Sequence, residues 1–314
     1  MRGFLKNVAI FLVPLVIVWG ALEYFYRATE SNYSYKHQKI IENYNTIETL
    51  VLGDSHALYG INPEYLDSKT FNLANVSQSI YFDELLFKKH IDSLKNLKHI
   101  IITISYFNLS QIENTKEDIW RKYFYTNQME LEVPIVSKFN IKEYSLSLTR
   151  RFHSSIEFIH YYRERGTLIG CTSDGWGNLY TESQDIDLCK NGISRAKSHE
   201  DGSQDFTENL LKIQSIIAYC KNIGCKVYLV DMPVHKCYIN ALNPDKWNKI
   251  TTFCKNLEER AINTTYINLR EDSRLEDTDL YDADHLTHKG AKKYTKIINE
   301  IISAPKNDVS CNYL

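Results

Sequence analysis

Short apolar runs alternate along the chain with longer stretches in which apolar residues recur at helical spacing. Runs that fit buried strands lie at residues 49–52, 70–75, 99–105, 226–233 and 265–269. Helical stretches lie at residues 80–97, 206–222, 245–263 and 288–303. Strands that alternate with helices, and that are apolar on both faces, predict a parallel sheet covered by helices on each side.

The alternation breaks down between about residue 109 and residue 205. This span is rich in aromatic residues and carries a polar, glycine-containing region from residue 166 to residue 202. A stretch of this length without regular alternation is typical of an insertion rather than of the sheet itself. We expect a mostly helical insertion that either covers the substrate or forms a subdomain with its own small core.

A long uncharged segment stands near the N-terminus. The chain carries no charge from Asn7 to Leu22, and Arg2 and Lys6 precede this stretch. Counted from residue 4 to residue 26, the segment reaches the length of about 20 residues that a helix needs to cross a bilayer core. The leading positive charges predict a cytoplasmic N-terminus, with the rest of the chain outside. A cleaved signal peptide and a buried soluble helix are alternatives, but Gly20-Ala21-Leu22-Glu23 is a poor cleavage site.

These patterns divide the chain into three parts. Residues 1–27 are expected to form a cytoplasmic stub and a transmembrane anchor, and residues 28–48 a stalk or a wrapping helix. Residues 49–314 are expected to form one α/β domain that contains the insertion. Because 43% of the 314 residues are hydrophobic, this domain can bury a substantial core.

The charge balance argues against one class of partner. The chain has 37 Lys and Arg against 39 Asp and Glu, a net charge of −2, and no basic block stands out. Nucleic acid is therefore not an expected partner. The seven cysteines permit disulfides outside the cytoplasm, but their odd number and the lack of a C-x-x-C motif leave the pairing open. The oligomeric state is open as well.

The first candidate for chemistry follows the first predicted strand. Gly53-Asp54-Ser55-His56 stands where a strand ends and a helix can begin. A serine at that place lies beside free backbone N–H groups, which favour negative charge. The simpler interpretation is that Asp54 or Ser55 only caps a helix. His56 is expected to line the pocket, since adjacent side chains at a helix start point in different directions.

The second candidate lies between the last predicted strand and the last predicted helix. A serine nucleophile needs a base, and the base needs a partner that fixes its tautomer. Asp282 and His285, three residues apart, can share one side of a tight turn and supply both. Asp284 is the alternative partner of His285. A polar loop that caps the last helix through Thr287 is the simpler interpretation.

Taken together, G-D-S after the first strand and D-x-x-H before the last helix resemble the SGNH (GDSL-like) hydrolase superfamily. The resemblance covers about residues 48–108 and 206–303 but not the insertion. It implies a flavodoxin-like three-layer α/β/α fold with Ser55 as nucleophile, His285 as base and Asp282 as its orienting acid. No cofactor and no metal is expected.

The residues after the serine and the predicted anchor look most like the envelope-facing branch of this superfamily, whose members transfer or remove acyl groups on bacterial surface polymers. The expected protein is therefore a membrane-anchored serine esterase or O-acyltransferase. Its expected partners are an acylated polysaccharide or another ester and, through the N-terminal helix, the membrane.

The anion hole is where the chain departs from the superfamily pattern. Ser77 stands at the place of the usual glycine of the second block, and Asn108 is one place out of register with the usual asparagine of the third. The expected donors are Ser55, Ser77, Asn108 and Gln78, with Asn75, His56 and Asp284 lining the pocket. Because one such donor is worth about 10²–10³ in rate, its loss would leave a weak or repurposed enzyme.

Two other functions fit parts of the sequence. A non-catalytic protein could keep the fold to bind an envelope polymer or an assembly partner. A metal-dependent phosphoesterase would draw its ligands from oxygen and imidazole donors. The residues available for such a site are Asp54, His56, Asp282, Asp284, His285 and His288.

Overall fold

Five parallel strands form the sheet in a computed structural model that describes residues 1–111 and 119–304. The strands are β1 (Thr49–Leu52), β2 (Thr70–Asn72), β3 (His99–Thr103), β4 (Lys226–Asp231) and β5 (Thr264–Asn268). Their spatial order is β2-β1-β3-β4-β5, and every neighbouring pair is parallel. This is the strand order of flavodoxin-like doubly wound sheets. The predicted fold class is confirmed.

Helices cover both faces of the sheet. Those in the described parts of the chain are α1 (Arg2–Ala28), α2 (Asn32–Glu42), α3 (Ser55–Gly60), α4 (Ile80–His90), α5 (Arg121–Gln128), α6 (Phe152–Arg165), α7 (Leu188–His199), α8 (Thr207–Asn222), α9 (Lys236–Ala241), α10 (Pro244–Arg260) and α11 (His288–Ser303). On one face, Val51 and Ile101 share a core with residues of α3 and α11. Because side chains alternate along a strand, the fully buried Leu50 and Ile100 point to the other face.

Several elements end earlier than the sequence pattern predicts. The predicted strand over residues 70–75 ends at Asn72, because that side chain turns back to donate to the carbonyls of Ala57 and Ile61 at 2.8 and 2.9 Å. The helix predicted over residues 80–97 ends at His90 and continues as a short 3₁₀ turn. The predicted strand and helix over residues 226–233 and 245–263 end at residues 231 and 260.

The described chain divides into two compact units. Unit 1 comprises Met1–Gln38 and Lys116–Gly170, and unit 2 comprises Lys39–Thr115 and Cys171–Leu314. Unit 1 contains α1, α5 and α6, whereas unit 2 contains the whole sheet. The span predicted as one insertion, about residues 109–205, is therefore divided at residue 170, and its later part packs with the sheet. Residues 28–48, predicted as a stalk or wrapping helix, contain α2.

Among the described residues, α1 is the one helix long and apolar enough to cross a membrane. Its residues from Arg2 to Trp19 are exposed or half-buried, and Leu22 and Tyr26 are its buried positions. The cysteines of the described parts form one disulfide, Cys189–Cys237. The other four, Cys171, Cys220, Cys225 and Cys254, are buried free thiols.

Candidate active site

The turn after β1 delivers Ser55 to the carboxyl edge of the sheet. Gly53 has a φ of +132°, and α3 begins two residues later. A Cβ at Gly53 would lie 2.0 Å from Thr103 Oγ1 at the end of β3, so both the conformation and the close approach require glycine. Ser55 therefore lies between the ends of β1 and β3, where the strand order reverses and doubly wound sheets bind their ligands.

The loop between β5 and α11 brings the predicted base and acid to this serine. Ser55 Oγ lies 2.8 Å from His285 Nε2. His285 Nδ1 lies 2.9 and 3.0 Å from the two carboxylate oxygens of Asp282, which also accepts a hydrogen bond from the His285 backbone N–H at 2.9 Å. With Nδ1 protonated and donating to Asp282, Nε2 is left to accept the serine proton.

Burial completes the arrangement of these three side chains. Ser55, Asp282 and His285 expose 6%, 8% and 4% of their surfaces. Little water competes for their hydrogen bonds, so each side chain keeps one orientation and its charges act over short distances. The order serine, imidazole, carboxylate is the one that nucleophilic acyl transfer uses.

A second set of charged side chains, here named the flanking charge network, packs against the triad. It consists of Asp54, His56, Asp284 and Arg195. His56 Nδ1 lies 3.1 Å from Asp54 Oδ1, and His56 Nε2 lies 3.6 Å from Asp284 Oδ2, beyond direct hydrogen-bond distance. Arg195 donates two hydrogen bonds to Asp284, at 2.6 and 2.8 Å. The ring of His56 stacks on that of His285, with centroids 5.4 Å apart and planes at 20°.

The flanking charge network holds two cations and two anions. Burial opposes a charge on His56, but the carboxylates of Asp54 and Asp284 outweigh it and raise the pKa of His56 to about 10. Burial likewise opposes ionisation of Asp284, yet the neighbouring cations hold its pKa well below the usual range. His56 and Arg195 therefore balance Asp54 and Asp284, and the network is neutral overall at neutral pH.

The sequence pattern predicts part of this network and misses the rest. His56 and Asp284 were expected as pocket residues, and both lie beside His285. Arg195 was not predicted, because it lies on α7 within the predicted insertion, 89 residues before its partner Asp284. A single arginine on an amphipathic helix gives no local signal that it pairs with a distant loop.

Helix α7 holds the loop that carries the predicted acid and base. In addition to the Arg195 pair, Asn191 Oδ1 accepts a hydrogen bond from the Ala283 backbone N–H at 3.0 Å. The Cys189–Cys237 disulfide joins the first turn of α7 to α9. A helix from the irregular part of the sequence is thus joined covalently to α9, beside the loop that carries Asp282 and His285.

The predicted anion-hole residues on the second block have distinct placements. Ser77 has a φ of +57°, the left-handed conformation that glycine adopts most easily, in keeping with its position in place of a glycine. Gln78 Nε2 donates to Asp83 Oδ1 at 2.6 Å, and its Oε1 lies 3.5 Å from Asn75 Nδ2. Asp83 also accepts from the Gly53 backbone N–H, and burial raises the pKa of Asp83 to about 8. The Gln78 side chain thus supports the turn before Ser55.

Asn108, predicted as an anion-hole donor, makes two hydrogen bonds at the end of β3 and in the loop after it. Its Nδ2 donates to the Thr103 carbonyl at 2.9 Å, and its Oδ1 accepts from the Ser105 backbone N–H at 3.1 Å. Both ends of the side chain are therefore used within its own loop, and the residue is fully buried. In its position one place out of register, Asn108 links the end of β3 to the loop that follows it.

Aromatic side chains form one wall beside the triad. Tyr180 is stacked between Tyr59 and Tyr281, with ring centroids 3.7 and 3.8 Å apart. The centroid of Tyr180 lies 5.4 Å from that of His285. Trp176 donates from Nε1 to the Tyr59 carbonyl at 2.9 Å. This bond helps to fix the segment that contains Trp176 and Tyr180. The sequence pattern predicted aromatic residues in this span but not their place.

One group of side chains has the spacing of a metal site. Nitrogen and oxygen atoms of His56, Asp284 and His285 lie within 4.8 Å of one another. Arg195 occupies both oxygens of Asp284, and the triad partners occupy both ring nitrogens of His285. His288, another residue of the predicted metal set, donates from Nε2 to the carbonyl of residue 178 at 3.1 Å. A cation would have to displace these bonds, so the donor set fits a triad better than a metal.

No protein-family model matches the chain, and no curated protein matches it. One similar solved structure is a proposed platelet activating factor from Streptococcus pneumonia, with 12% identity, a TM-score of 0.42, and coverage of 93% of this chain and 99% of that chain. A proposed acylhydrolase from Bacteroides fragilis has 11% identity, a TM-score of 0.38, and coverage of 81% and 86%.

A third similar structure is a GDSL-like lipase from Bacteroides thetaiotaomicron. It has 10% identity and a TM-score of 0.40, and the match covers 86% of this chain and 98% of that chain.

Proposed function

We propose that this protein is a membrane-anchored serine esterase or O-acyltransferase of the SGNH type. The observation that carries the proposal is the hydrogen-bonded chain from Ser55 through His285 to Asp282, with links of 2.8, 2.9 and 3.0 Å. The residue pattern that resembles the SGNH superfamily and the strand order of the sheet agree with it.

The reaction proceeds in two halves. Ser55 Oγ attacks the ester carbonyl carbon while its proton passes to His285 Nε2, and Asp282 stabilises the imidazolium that forms. The tetrahedral intermediate collapses, the C–O bond to the leaving alcohol breaks, and His285 returns the proton to that alcohol. Water or a sugar hydroxyl then gives its proton to His285 and attacks the acyl-enzyme carbonyl. The second tetrahedral intermediate collapses, the bond between the acyl carbon and Ser55 Oγ breaks, and His285 returns the proton to Oγ as a free acid or a new ester leaves.

The anion hole is the part of this mechanism that rests most on the local backbone. Ser55 is the first residue of α3, and the N–H groups of a first helical turn have no acceptor within the helix. The Ser55 N–H is therefore the first proposed donor, and the backbone of Ser77 is the second. The side chains of Asn108 and Gln78 serve the surrounding loops instead.

The proposed site of action is outside the cytoplasm, on an acylated cell-envelope polysaccharide. α1 has the length and composition of a single membrane span. The Cys189–Cys237 disulfide suits an oxidising compartment. The resemblance to envelope-facing SGNH proteins supports the same substrate class.

The test combines active-site labelling with turnover. The full-length protein should react with a fluorophosphonate probe and release p-nitrophenol from p-nitrophenyl acetate. Ser55→Ala should abolish both, and His285→Ala should lower turnover by about 10⁴ or more. Ser79→Ala, which alters the buried serine directly before α4, is the matched control and should keep both activities.

Two results would contradict the proposal. Labelling that survives both Ser55→Ala and His285→Ala would refute Ser55 as the nucleophile and His285 as its base. Binding of an acetylated polysaccharide that persists in Ser55→Ala, together with no turnover by the unmodified protein, would favour the non-catalytic function. Acetyl transfer to added sugar alcohols, measured against hydrolysis, separates a transferase from an esterase.

A further inference from the structure

Unit 1 carries an exposed apolar surface that is separate from α1. Its members, here named the apolar rim, are Phe139, Ile141, Tyr144, Leu148, Phe152 and Ile156, whose exposed fractions range from 38% to 100%. They lie on the 3₁₀ turns at Ile141–Glu143 and Leu146–Leu148, on the residues beside them, and on the start of α6. Soluble surfaces rarely gather so many large apolar side chains in one short stretch, and such patches mark interaction sites.

The start of α6 is amphipathic in a way that separates the apolar rim from water-facing charges. Phe152 and Ile156 are one turn apart and share a face. His153 and Glu157, one position further along, pair at 3.5 Å on the neighbouring face, which is exposed. Ser155 points inward and is fully buried. The helix therefore has distinct packing, charged and apolar faces.

The apolar rim is attached to one end of α1. Trp19 Nε1 donates to Ser145 Oγ at 3.0 Å, and Ser145 in turn donates to Glu23 Oε2 at 2.7 Å. The backbone N–H of Ser147 also donates to Glu23, at 3.0 Å. Arg27 donates to a backbone carbonyl of the same segment at 2.8 Å. These bonds hold residues 144–147, within the apolar rim segment, beside residues 19–27 of α1 and at the same level.

That level corresponds to a membrane surface if α1 crosses the bilayer. Residues 2–18 of α1 are exposed or half-buried, and at about 1.5 Å per residue they extend for about 26 Å. The hydrocarbon core is about 30 Å thick, so a span that begins near residue 2 reaches its far boundary about three residues beyond Trp19, within residues 19–27. Tryptophan at this position is typical of an interface. The segment bonded to Trp19 is therefore held at the same depth.

The charge of the surrounding segment indicates which lipids it meets. Residues 138–165 contain six Lys and Arg against three Glu, whereas the whole chain has a net charge of −2. Lys138 and Lys142 flank Phe139 and Ile141, and Arg151 precedes Phe152. Basic residues beside exposed aromatic residues suit an interface that contains anionic phospholipid.

We propose that the apolar rim is a second membrane contact: it lies in the interface of the bilayer that α1 spans, on the side of the folded domain. Phe139 and Phe152 reach the acyl-chain boundary, and the adjacent Lys and Arg side chains meet the phosphates of anionic phospholipid. The inference rests on the anchoring by α1 in the proposed function. It predicts that unit 1 is held flat on the membrane by two attachments rather than hanging from one helix.

The experiment places an environment-sensitive fluorophore on single introduced cysteines in the full-length protein, in vesicles of phosphatidylcholine and phosphatidylglycerol. The four free cysteines of the described residues are buried, and Cys311 is replaced by serine to keep labelling specific. Phe139→Cys and Phe152→Cys report on the apolar rim, Glu157→Cys is the matched control on the exposed face of α6, and Val13→Cys reports on the anchor.

Quenching by lipid-borne nitroxides and by aqueous iodide gives the result. Labels at residues 139 and 152 should be quenched by the nitroxide lipid, with iodide quenching about threefold weaker than at residue 157. In phosphatidylcholine alone this protection should decrease, because the basic residues lose their anionic partners. Equal protection in the two kinds of vesicle would refute the role of anionic lipid.

Other outcomes separate the two proposals. If residue 13 lies in lipid while residues 139 and 152 quench like residue 157, the anchor stands and the second contact is refuted. If residue 13 is accessible to iodide while residues 139 and 152 lie in lipid, the anchor is refuted, and the apolar rim is a membrane contact of its own rather than the second contact proposed here. Labels at 139 and 152 that are protected from both quenchers would show a protein partner in place of lipid and would overturn the proposal.

Discussion

Replacing His56 by glutamine tests whether the flanking charge network has been assigned correctly. His56 is 7% exposed, lies between Asp54 and Asp284, and has its pKa raised to about 10. In the unfolded chain the same imidazole titrates near its ordinary pKa of about 6.5. Because the folded value is the higher one, the stabilising contribution is complete below about pH 6.5 and is lost as the pH rises through about 10.

The size of the effect follows from these two pKa values. A group that titrates at about 10 when folded and about 6.5 when unfolded loses about 2 kcal/mol of its contribution between pH 8 and pH 9.5. Asp83 and Asp231, whose pKa values burial raises to about 8 and about 7, change stability mainly below this window. The unfolding free energy of the unmodified protein should therefore fall by about 2 kcal/mol across the window because of His56.

The assay is urea unfolding of the full-length protein in mild detergent, followed by tryptophan fluorescence at half-unit steps from pH 8 to pH 9.5. His56→Gln should remove the fall that His56 causes. His199→Gln is the matched control, because burial lowers the pKa of His199 to about 3 and leaves it neutral throughout this range. An identical pH slope in His56→Gln and the unmodified protein would refute a charged His56, and so would an NMR titration of His56 with a midpoint near 6.5.

Three further predictions concern the elements that hold the site. Arg195→Ala should lower the unfolding free energy by about 2–3 kcal/mol, because it leaves Asp284 buried without its arginine, and chemical denaturation measures this. Cys189→Ser should cost about 4 kcal/mol or less by opening the loop closed with Cys237, 48 residues away, and dithiothreitol should reproduce the loss in the unmodified protein. Gly290→Ala should lower the melting temperature, because its Cβ would lie 2.1 Å from a backbone carbonyl oxygen and cost about 1–3 kcal/mol.

The sheet could be predicted from the sequence because its signals are local. The run of β-branched residues in β3 and the apolar run of β1 fit buried strands. Helical patterns follow the strand runs at residues 70–75, 226–233 and 265–269. The ends were less certain, because a strand end depends on what its last side chain contacts. Asn72, for example, is the last residue of β2, and its side chain donates to the carbonyls of Ala57 in α3 and of Ile61 just after α3. Nothing within residues 70–75 of the sequence predicts these bonds.

Part of the candidate site could also be predicted from the sequence. A triad needs a few residue types at fixed places in the strand and helix order, so Ser55 and His285 can be paired across 230 residues. Arg195, by contrast, acts through a helix whose position depends on tertiary packing and a disulfide. Asn108 has the residue type expected of an anion-hole donor, but the sequence could not show that it bonds the Thr103 carbonyl and the Ser105 backbone N–H.

The two acids that flank the predicted base explain why the network matters for the triad. Asp284 Oδ1 lies 3.7 Å from His285 Nδ1, whereas Asp282 lies at 2.9 Å, so both carboxylates could attract the same imidazole. Arg195 occupies Asp284 with two hydrogen bonds, and His56 adds a second positive charge beside it. With Asp284 neutralised in this way, Asp282 is left as the partner that fixes the His285 tautomer. We therefore expect the flanking charge network to favour Asp282 over Asp284 as the partner of His285, in addition to stabilising the loop.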